Sequence, residues 1–257
     1  MDRKQEIEAR FGASADAYAQ SPGHRGGPDL DRMVELAAPA PGDDLLDIAT
    51  GAGNTALAFA PHVRRVVALD MADGMIATTR KRFGEAHLMN ADFIVHDAEQ
   101  LPFEDASFDI VTCRIAPHHF LDVERATHEV FRVLRAGGRY LVEDSAAPRD
   151  PTAASFLHDV ESRRDATHVR SLTEPEWTAL LKRAGFAVAA AEIFPKRHDL
   201  EAWLERGGIP EDLKAAIRSD FLAASPAVRR ALIVQVDGAH VVSFTDEKVL
   251  LKAIRPG

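Results

Sequence analysis

LLDIATGAGNTALAFA, residues 45–60, decides the fold of this 257-residue chain. Residues 45–48 form a short apolar run with Asp47 near its end, and Gly51 and Gly53 follow in a turn. A helix then opens near Asn54 and Thr55. Glycine tolerates the unusual dihedrals of such a turn and lets a ligand approach the backbone. The helix start adds N–H groups that have no partner inside the helix. A turn of this kind does not choose its ligand. Nicotinamide and flavin enzymes share it, and Ala56 stands where the dinucleotide fingerprint takes its third small residue.

On either side of this stretch the chain alternates strand and helix. Apolar runs recur at residues 66–69, 93–95, 110–113 and 140–142. Between the last two, Val123, Ala126, Val130 and Val133 share one helical face, with Gly137 and Gly138 as a stop signal. Thr173 and Glu176 read as a capping box. Trp177, Leu180, Leu181 and Ala184 follow at helical spacing, and Gly185 closes that helix. Further strands are expected at residues 187–193 and 249–254. The pattern predicts one α/β domain over residues 1–257, a doubly wound and mostly parallel sheet with right-handed crossovers.

Two segments fall outside the core expected at residues 41–195 and 246–257. Residues 1–40 carry Ile7, Phe11, Ala15 and Tyr18 at helical spacing, then a glycine-rich turn, then Leu30, Met33, Val34 and Ala37. They predict a helical N-terminal cap. Residues 196–245 form a late insertion, helical at residues 200–206 and around 213–217, with a hairpin turn at Asp237 and Gly238. Phe194, Trp203 and Phe221 are candidates to line an apolar pocket, or else to form the core of the cover.

Three acids stand at successive strand ends. Asp47 belongs to the first strand. Asp70 ends the second, 17 residues beyond Gly53, where a carboxylate can accept both hydroxyls of a ribose. Asp97 follows the third, where it can accept from the exocyclic amine of adenine, with the Ala98 N–H near the ring. Any one of them alone reads as a turn or cap aspartate. Three in register form a rim at the carboxyl edge, where open α/β sheets bind ligands.

Composition narrows the class. The formal net charge of −9 argues against nucleic acid as substrate, because phosphate contacts call for a basic patch. Arg80, Lys81 and Arg82 read as a solvated helix face. The charged N-terminus carries no secretory pattern, and no run approaches the ~20 apolar residues of a membrane span. Cys113 is the only cysteine, which excludes an internal disulfide and a cysteine zinc cluster; it reads as a core residue. These features predict a cytoplasmic protein.

The stretch from Asp47 through DAEQLPFEDASFDIV (97–111) to HEVFRVLRAGGRYLVED (128–144) resembles the small-molecule methyltransferases that include the ubiquinone and menaquinone C-methyltransferases. The resemblance spans about residues 7–145, and its 97–144 portion is the most specific. It implies a Rossmann-like, seven-stranded sheet with an antiparallel last strand, and S-adenosylmethionine as cofactor. It implies that Asp47, Ala49, Gly51, Gly53 and Asn54 surround the methionine end. Asn54 stands where many relatives have a third glycine. It further implies Asp70 on the ribose, Met71 and Met75 against the adenine, and Asp97 and Ala98 at the adenine edge. The segment FGASADAYAQSPGHRGGPDL (11–30) is similar to the cap of this group, which brings Tyr18 and His24 near the cofactor. Arg114 is expected on the same rim, binding the cofactor or an acidic acceptor, or pairing with an acid.

Transfer from a sulfonium needs mainly an oriented acceptor, which can contribute roughly 7–11 kcal/mol. A base matters for hydroxyl and carbon acids. CRIAPHHF, residues 113–120, leaves the fourth strand and offers His118 and His119, at most one of which is expected to face the pocket. His24 is the third candidate for chemistry. The plainer alternative has His119 packing on the cofactor and His118 bonding a backbone carbonyl. A metal site built from His24, His118, His158 and His168 is not expected, since no two of them share a ligand spacing on one helix. Arg163, Arg164 and Arg170 read as acceptor contacts or as surface charge. Two rival readings stand beside a methyltransferase acting on a small molecule. One is a nicotinamide-dependent oxidoreductase, which leaves Asp97 unexplained. The other is a methyltransferase-like protein that binds the cofactor without transferring methyl.

Overall fold

The computed structural model describes residues 3–20 and 26–257, except the side chains of residues 13–20. Helix α1 (Arg3–Gln20) and α2 (Pro28–Ala37) form the N-terminal cap. Then come β1 (Asp44–Ile48), α3 (Asn54–Phe59), β2 (Arg65–Asp70), α4 (Asp73–Glu85), β3 (Ala91–Val95) and β4 (Phe108–Arg114). After β4 the chain gives α5 (Val123–Val133), β5 (Leu134–Ala146), α6 (Pro151–Arg164), α7 (Glu174–Arg183) and β6 (Ala187–Asp199). The insertion holds α8 (Leu200–Arg206), α9 (Glu211–Ala223) and α10 (Pro226–Ala231), and β7 (Gln235–Asp237) and β8 (His240–Ile254) end the chain.

The sheet runs β3-β2-β1-β4-β5-β8-β6, with β7 added on β8. β1 to β5 pair in parallel, and β8 is antiparallel to both β5 and β6. The mostly parallel, Rossmann-like sheet with an antiparallel last strand is the expected one, and β7 adds an eighth short strand to the expected seven. Every residue of β1 is buried, as a strand covered on both faces requires. One face packs Val130 and Val133 of α5 and Trp177, Leu180 and Leu181 of α7. The other packs Met33 and Ala37 of α2, Ala56 and Phe59 of α3 and Phe83 of α4. Cys113 lies in the first of these cores, fully buried.

Three sequence expectations are corrected here. β6 does not stop at residue 193 but continues to Asp199, and β8 begins at His240 rather than at residue 249. The two pair from Ala187 opposite Ile254 to Asp199 opposite Ser243, with one irregularity between Val188 and Ala190 and an unbroken register from Ala190 onward. Pro195 is tolerated because β6 is an edge strand, with one side free of ladder bonds. Gly137 and Gly138 fall inside β5, at the irregularity where its register against β4 shifts. Helix α6 gave no hydrophobic period. Its start is set instead by Asp150, whose carboxylate accepts from the N–H groups of Thr152 and Ala153, and by Pro151 in the first turn.

The capping box at Thr173 and Glu176 forms as expected. So does the β7–β8 hairpin, with Asp237 opposite His240. Trp203 and Phe221 are buried with Leu157, Val160 and Phe244 in a third core under the insertion, so they line no pocket; Phe194 packs on the sheet core. No helix among the described residues is long and apolar enough to cross a membrane.

Candidate active site

The β1–α3 turn is built by backbone strain and side-chain pins. Ala49, Gly51 and Gly53 all have positive φ, at 50°, 55° and 79°. The Thr50 N–H donates to the Leu69 carbonyl at 3.0 Å, which ties the turn to β2. A Cβ on Gly53 would stand 2.5 Å from the Thr79 methyl, so this position needs glycine on two counts. Thr79 in turn donates its hydroxyl to the Gly51 carbonyl at 2.8 Å. At Gly51 a Cβ would meet nothing within 4 Å and would stand in the open cavity. Arg82 is not solvated: it donates to the Ala52 carbonyl and, at 2.7 Å, to Asn54 Oδ1. Of its neighbours, Arg80 lies over the Phe93 ring and Lys81 faces Glu85.

The three strand-end acids do different work. Asp47 is 1% exposed and lies beneath the turn, where Thr50 and Thr112 donate their hydroxyls to it at 2.5 and 2.7 Å. Burial holds its carboxyl up, at about 6. Asp70 reaches the cavity wall. One of its oxygens accepts the Gly51 N–H at 2.8 Å and the other the Ala72 N–H at 2.9 Å. Asp97 also lines the cavity, and it is bridged by Lys4 of α1, which donates to Asp97 at 2.5 Å and to Glu99 at 2.6 Å.

One cavity joins these groups. Its wall holds Ala49, Gly51, Asn54, Asp70, Met71, Met75, Asp97, Ala98, Arg114 and His119 of the expected set, while Asp47 and Gly53 stand behind it. His24 lies outside the described residues, as does the side chain of Tyr18. Lys4, Ile7 and Phe11 close the cavity from α1. Ile7 and Phe11 were visible as a helical stripe. Lys4 is on the same stripe, three residues before Ile7, and was missed because a lone lysine near a terminus carries no pattern. Glu99 was missed too; beyond Lys4, it accepts the N–H groups of Leu121 and Asp122 and so anchors the loop after His119.

The adjacent histidines separate. His119 faces the cavity, edge-on to Phe11 at 4.9 Å between ring centres. Its Nδ1 is 3.1 Å from the Thr167 carbonyl, which can only accept, so Nδ1 carries the proton and Nε2 the lone pair. Burial and the neighbouring His118 push His119 down to about 3. His118 turns away from the cavity and pairs with Asp144 at 2.5 Å. Its ring centre lies 4.0 Å from that of His119, tilted at 47°, and 5.6 Å from that of His168, which lies 5.4 Å from His158. The structure thus gathers histidines that sequence spacing kept apart. Among the described residues, though, no group of three or more His, Cys, Asp or Glu side chains is arranged to hold a metal. Arg114 has 4% of its side chain exposed and pairs with Asp29 of α2 at 2.5 Å and Glu143 of β5 at 2.8 Å.

The fold and this cavity recur in known proteins. Residues 46–142 match the family described as Methyltransferase domain. The uncharacterized methyltransferase YcgJ of Bacillus subtilis (strain 168) is 34% identical over 249 residues, which cover 96% of this chain and 98% of that protein. The chain belongs to the class I methyltransferases. This methyltransferase is also similar to a Bacillus halodurans protein whose crystal structure is described as that of a methyltransferase. The two match with a TM-score of 0.87 at 35% identity, over 90% of this chain and 100% of the other. The ubiquinone/menaquinone biosynthesis C-methyltransferase UbiE of Rubrivivax gelatinosus is 38% identical over 117 residues, 46% of the methyltransferase and 45% of UbiE.

Proposed function

We propose that this methyltransferase acts in the cytoplasm, taking its methyl group from S-adenosylmethionine and passing it to a small molecule by in-line displacement. The observation that carries this reading is the single cavity bounded by the positive-φ turn, by Asp70 and by Asp97. Each wall suits one part of the cofactor. The open side of Gly51 admits the methionine end. Asp70, fixed by two backbone N–H donors, suits the ribose hydroxyls. Met71 and Met75 give apolar contact for the adenine, and Asp97 with Ala98 suits its edge. Asp47 acts from beneath, holding Thr50 and hence the turn.

S-adenosylmethionine, when bound, supplies an electrophilic methyl carbon. The chain then has to orient the acceptor and keep water out. Ile7 and Phe11 of α1 cover the cavity on the side away from the sheet. His119 stays neutral at working pH and offers Nε2 as a hydrogen-bond acceptor, which suits the hydroxyl or N–H of an acceptor. It is a poor store for a proton. The acidic balance of the chain favours a small acceptor over nucleic acid.

Calorimetric titration of the purified protein with S-adenosylmethionine, S-adenosylhomocysteine and the nicotinamide dinucleotides tests the cofactor. Micromolar binding of the first two alone is expected. Binding of a dinucleotide instead would return the oxidoreductase reading. Transfer of labelled methyl to a panel of small acceptors tests the reaction. Tight cofactor binding with no transfer to any acceptor would favour a protein that binds the cofactor without methylating.

A further inference from the structure

We infer that Asp165, acting through Thr167, is a positioning residue for His119: it fixes the ring tautomer that leaves Nε2 without a proton. This rests on the methyltransferase reading above and names the residues that set its hydrogen-bond acceptor.

The inference starts from the ring. A neutral imidazole carries its proton on one nitrogen and a lone pair on the other, and the partner of one nitrogen decides the state of both. Every hydrogen bond of the His119 ring is made through Nδ1. Both partners belong to one residue, the Thr167 carbonyl at 3.1 Å and the Thr167 hydroxyl oxygen at 3.2 Å. Nε2 has no partner among the described residues, and the ring lines the cofactor cavity. The carbonyl can only accept. The hydroxyl is ambiguous, because it can accept from a protonated Nδ1 or rotate and donate to a bare one. The second choice would move the ring proton to Nε2 and turn the acceptor into a donor.

Asp165 removes that choice. Thr167 Oγ1 lies 2.6 Å from Asp165 Oδ1, the length of a charge-assisted bond. The one proton of the hydroxyl goes to the carboxylate, so Oγ1 can only accept from His119. Both oxygens at Nδ1 are then acceptors, and the ring proton stays there. Asp165 is 8% exposed, so little water competes for its carboxylate. The same oxygen accepts the Thr167 N–H at 2.9 Å, and the Asp165 carbonyl accepts the His168 N–H at 3.0 Å. The N–H groups of Val169 and Arg170 both donate to the His118 carbonyl, at 2.8 and 3.1 Å, which fastens this loop to the histidine turn. The cap meets the same two residues: Arg10 Nε stands 3.5 Å from Asp165, and Phe11 packs edge-on against His119.

The test is nitrogen-15 NMR of protein labelled in its histidine rings, at neutral pH, where burial keeps His119 uncharged. The His119 signals are those lost in His119→Gln. The wild type is expected to show the proton on Nδ1 alone. Asp165→Ala frees the Thr167 hydroxyl, and the tautomer protonated on Nε2 should appear at roughly one part in ten or more, the ratio that one net hydrogen bond sets. Asp165→Asn still offers an oxygen to the hydroxyl and should keep the wild-type tautomer. The decisive protein is the double variant Asp165→Ala with Thr167→Val. It has no hydroxyl left to donate, so the wild-type tautomer should return although the loop still lacks its carboxylate. A residue that only staples the loop would give no such rescue. A wild-type ring protonated on Nε2 overturns the inference without any variant. So does an Asp165→Ala protein that keeps the wild-type tautomer, an Asp165→Asn protein that loses it, or a double variant that fails to recover it. These signals are read without cofactor, whereas failure to bind S-adenosylhomocysteine in the calorimeter would sink the methyltransferase reading instead.

Discussion

The two halves of the sheet solve different problems with different means. The parallel half, β3-β2-β1-β4, makes its cavity from backbone: positive φ at Ala49, Gly51 and Gly53, N–H groups on Asp70, and a turn pinned by threonines. The antiparallel half, β5, β8 and β6, makes its surface from buried side-chain charge: Glu143, Asp144, Asp246, Lys248 and His198. Backbone geometry is shared by every ligand of one shape, and suits a fixed cofactor. Side-chain charge can be reassigned by single substitutions. Damage in one half should therefore leave the other working.

The largest effect is expected in the parallel half. Gly53→Val adds a Cβ at 2.5 Å from the Thr79 methyl and a β-branched residue at φ 79°. It should cost about 3 kcal/mol in urea unfolding and abolish binding of S-adenosylhomocysteine. Binding at wild-type strength would break the claim that this half depends on backbone. Next comes Asp70→Ala, which removes a carboxylate suited to two ribose hydroxyls. Calorimetry should find S-adenosylhomocysteine bound about 10²-fold more weakly, with circular dichroism unchanged. An unchanged affinity would remove Asp70 from the ribose.

The third effect belongs to the antiparallel side and depends on pH. Burial raises the Glu161 carboxyl to about 7, against 4.5 for an ordinary glutamate. Its contribution to stability is full below the ordinary value and lost as pH climbs through 7. Glu161→Gln has no such loss. The melting temperature of the variant minus that of the wild type should therefore rise from about pH 5 to about pH 8, by the equivalent of roughly 1–2 kcal/mol. A flat difference would mean that Glu161 is ionised throughout. Cofactor affinity should not move. The smallest effect is Thr173→Ala, which breaks the capping box of α7 at about 1 kcal/mol. It should lower the melting temperature alone; a change in cofactor binding would tie α7 to the cavity.

The same contrast explains what the sequence disclosed. Buried parallel strands are continuous apolar runs, and a glycine turn has few alternatives, so the four strands within residues 44–114 could be read to within two residues at each end. Asp70 and Asp97 were legible because strand ends announce themselves. What lay between strands distant in sequence was not. The pairing of β6 with β8 through Pro195 depends on partners such as Ser243, 44 positions after Asp199, and no local pattern records that. The histidine row from 119 to 158 and the bridge from Lys4 to Asp97 are likewise products of tertiary approach. Arg82 looked solvated because its targets, Ala52 and Asn54, lie in a different element.

The length of β6 and β8 bears on how such a molecule can be re-engineered. Asp199 and Ser243 face each other at the outer end of the ladder, so the two ends of the insertion arrive side by side. A donor segment from a related protein can be spliced there with both junctions in regular backbone, and the register that aligns Lys196 with Asp246 stays untouched. One requirement travels with the splice. Ala153, Leu157 and Val160 of α6 are roofed by Leu200, Trp203, Leu204 and Phe221 of the present insertion. A replacement that lacks an apolar underside would leave that helix wet, and the chimera would aggregate before its acceptor preference could be measured.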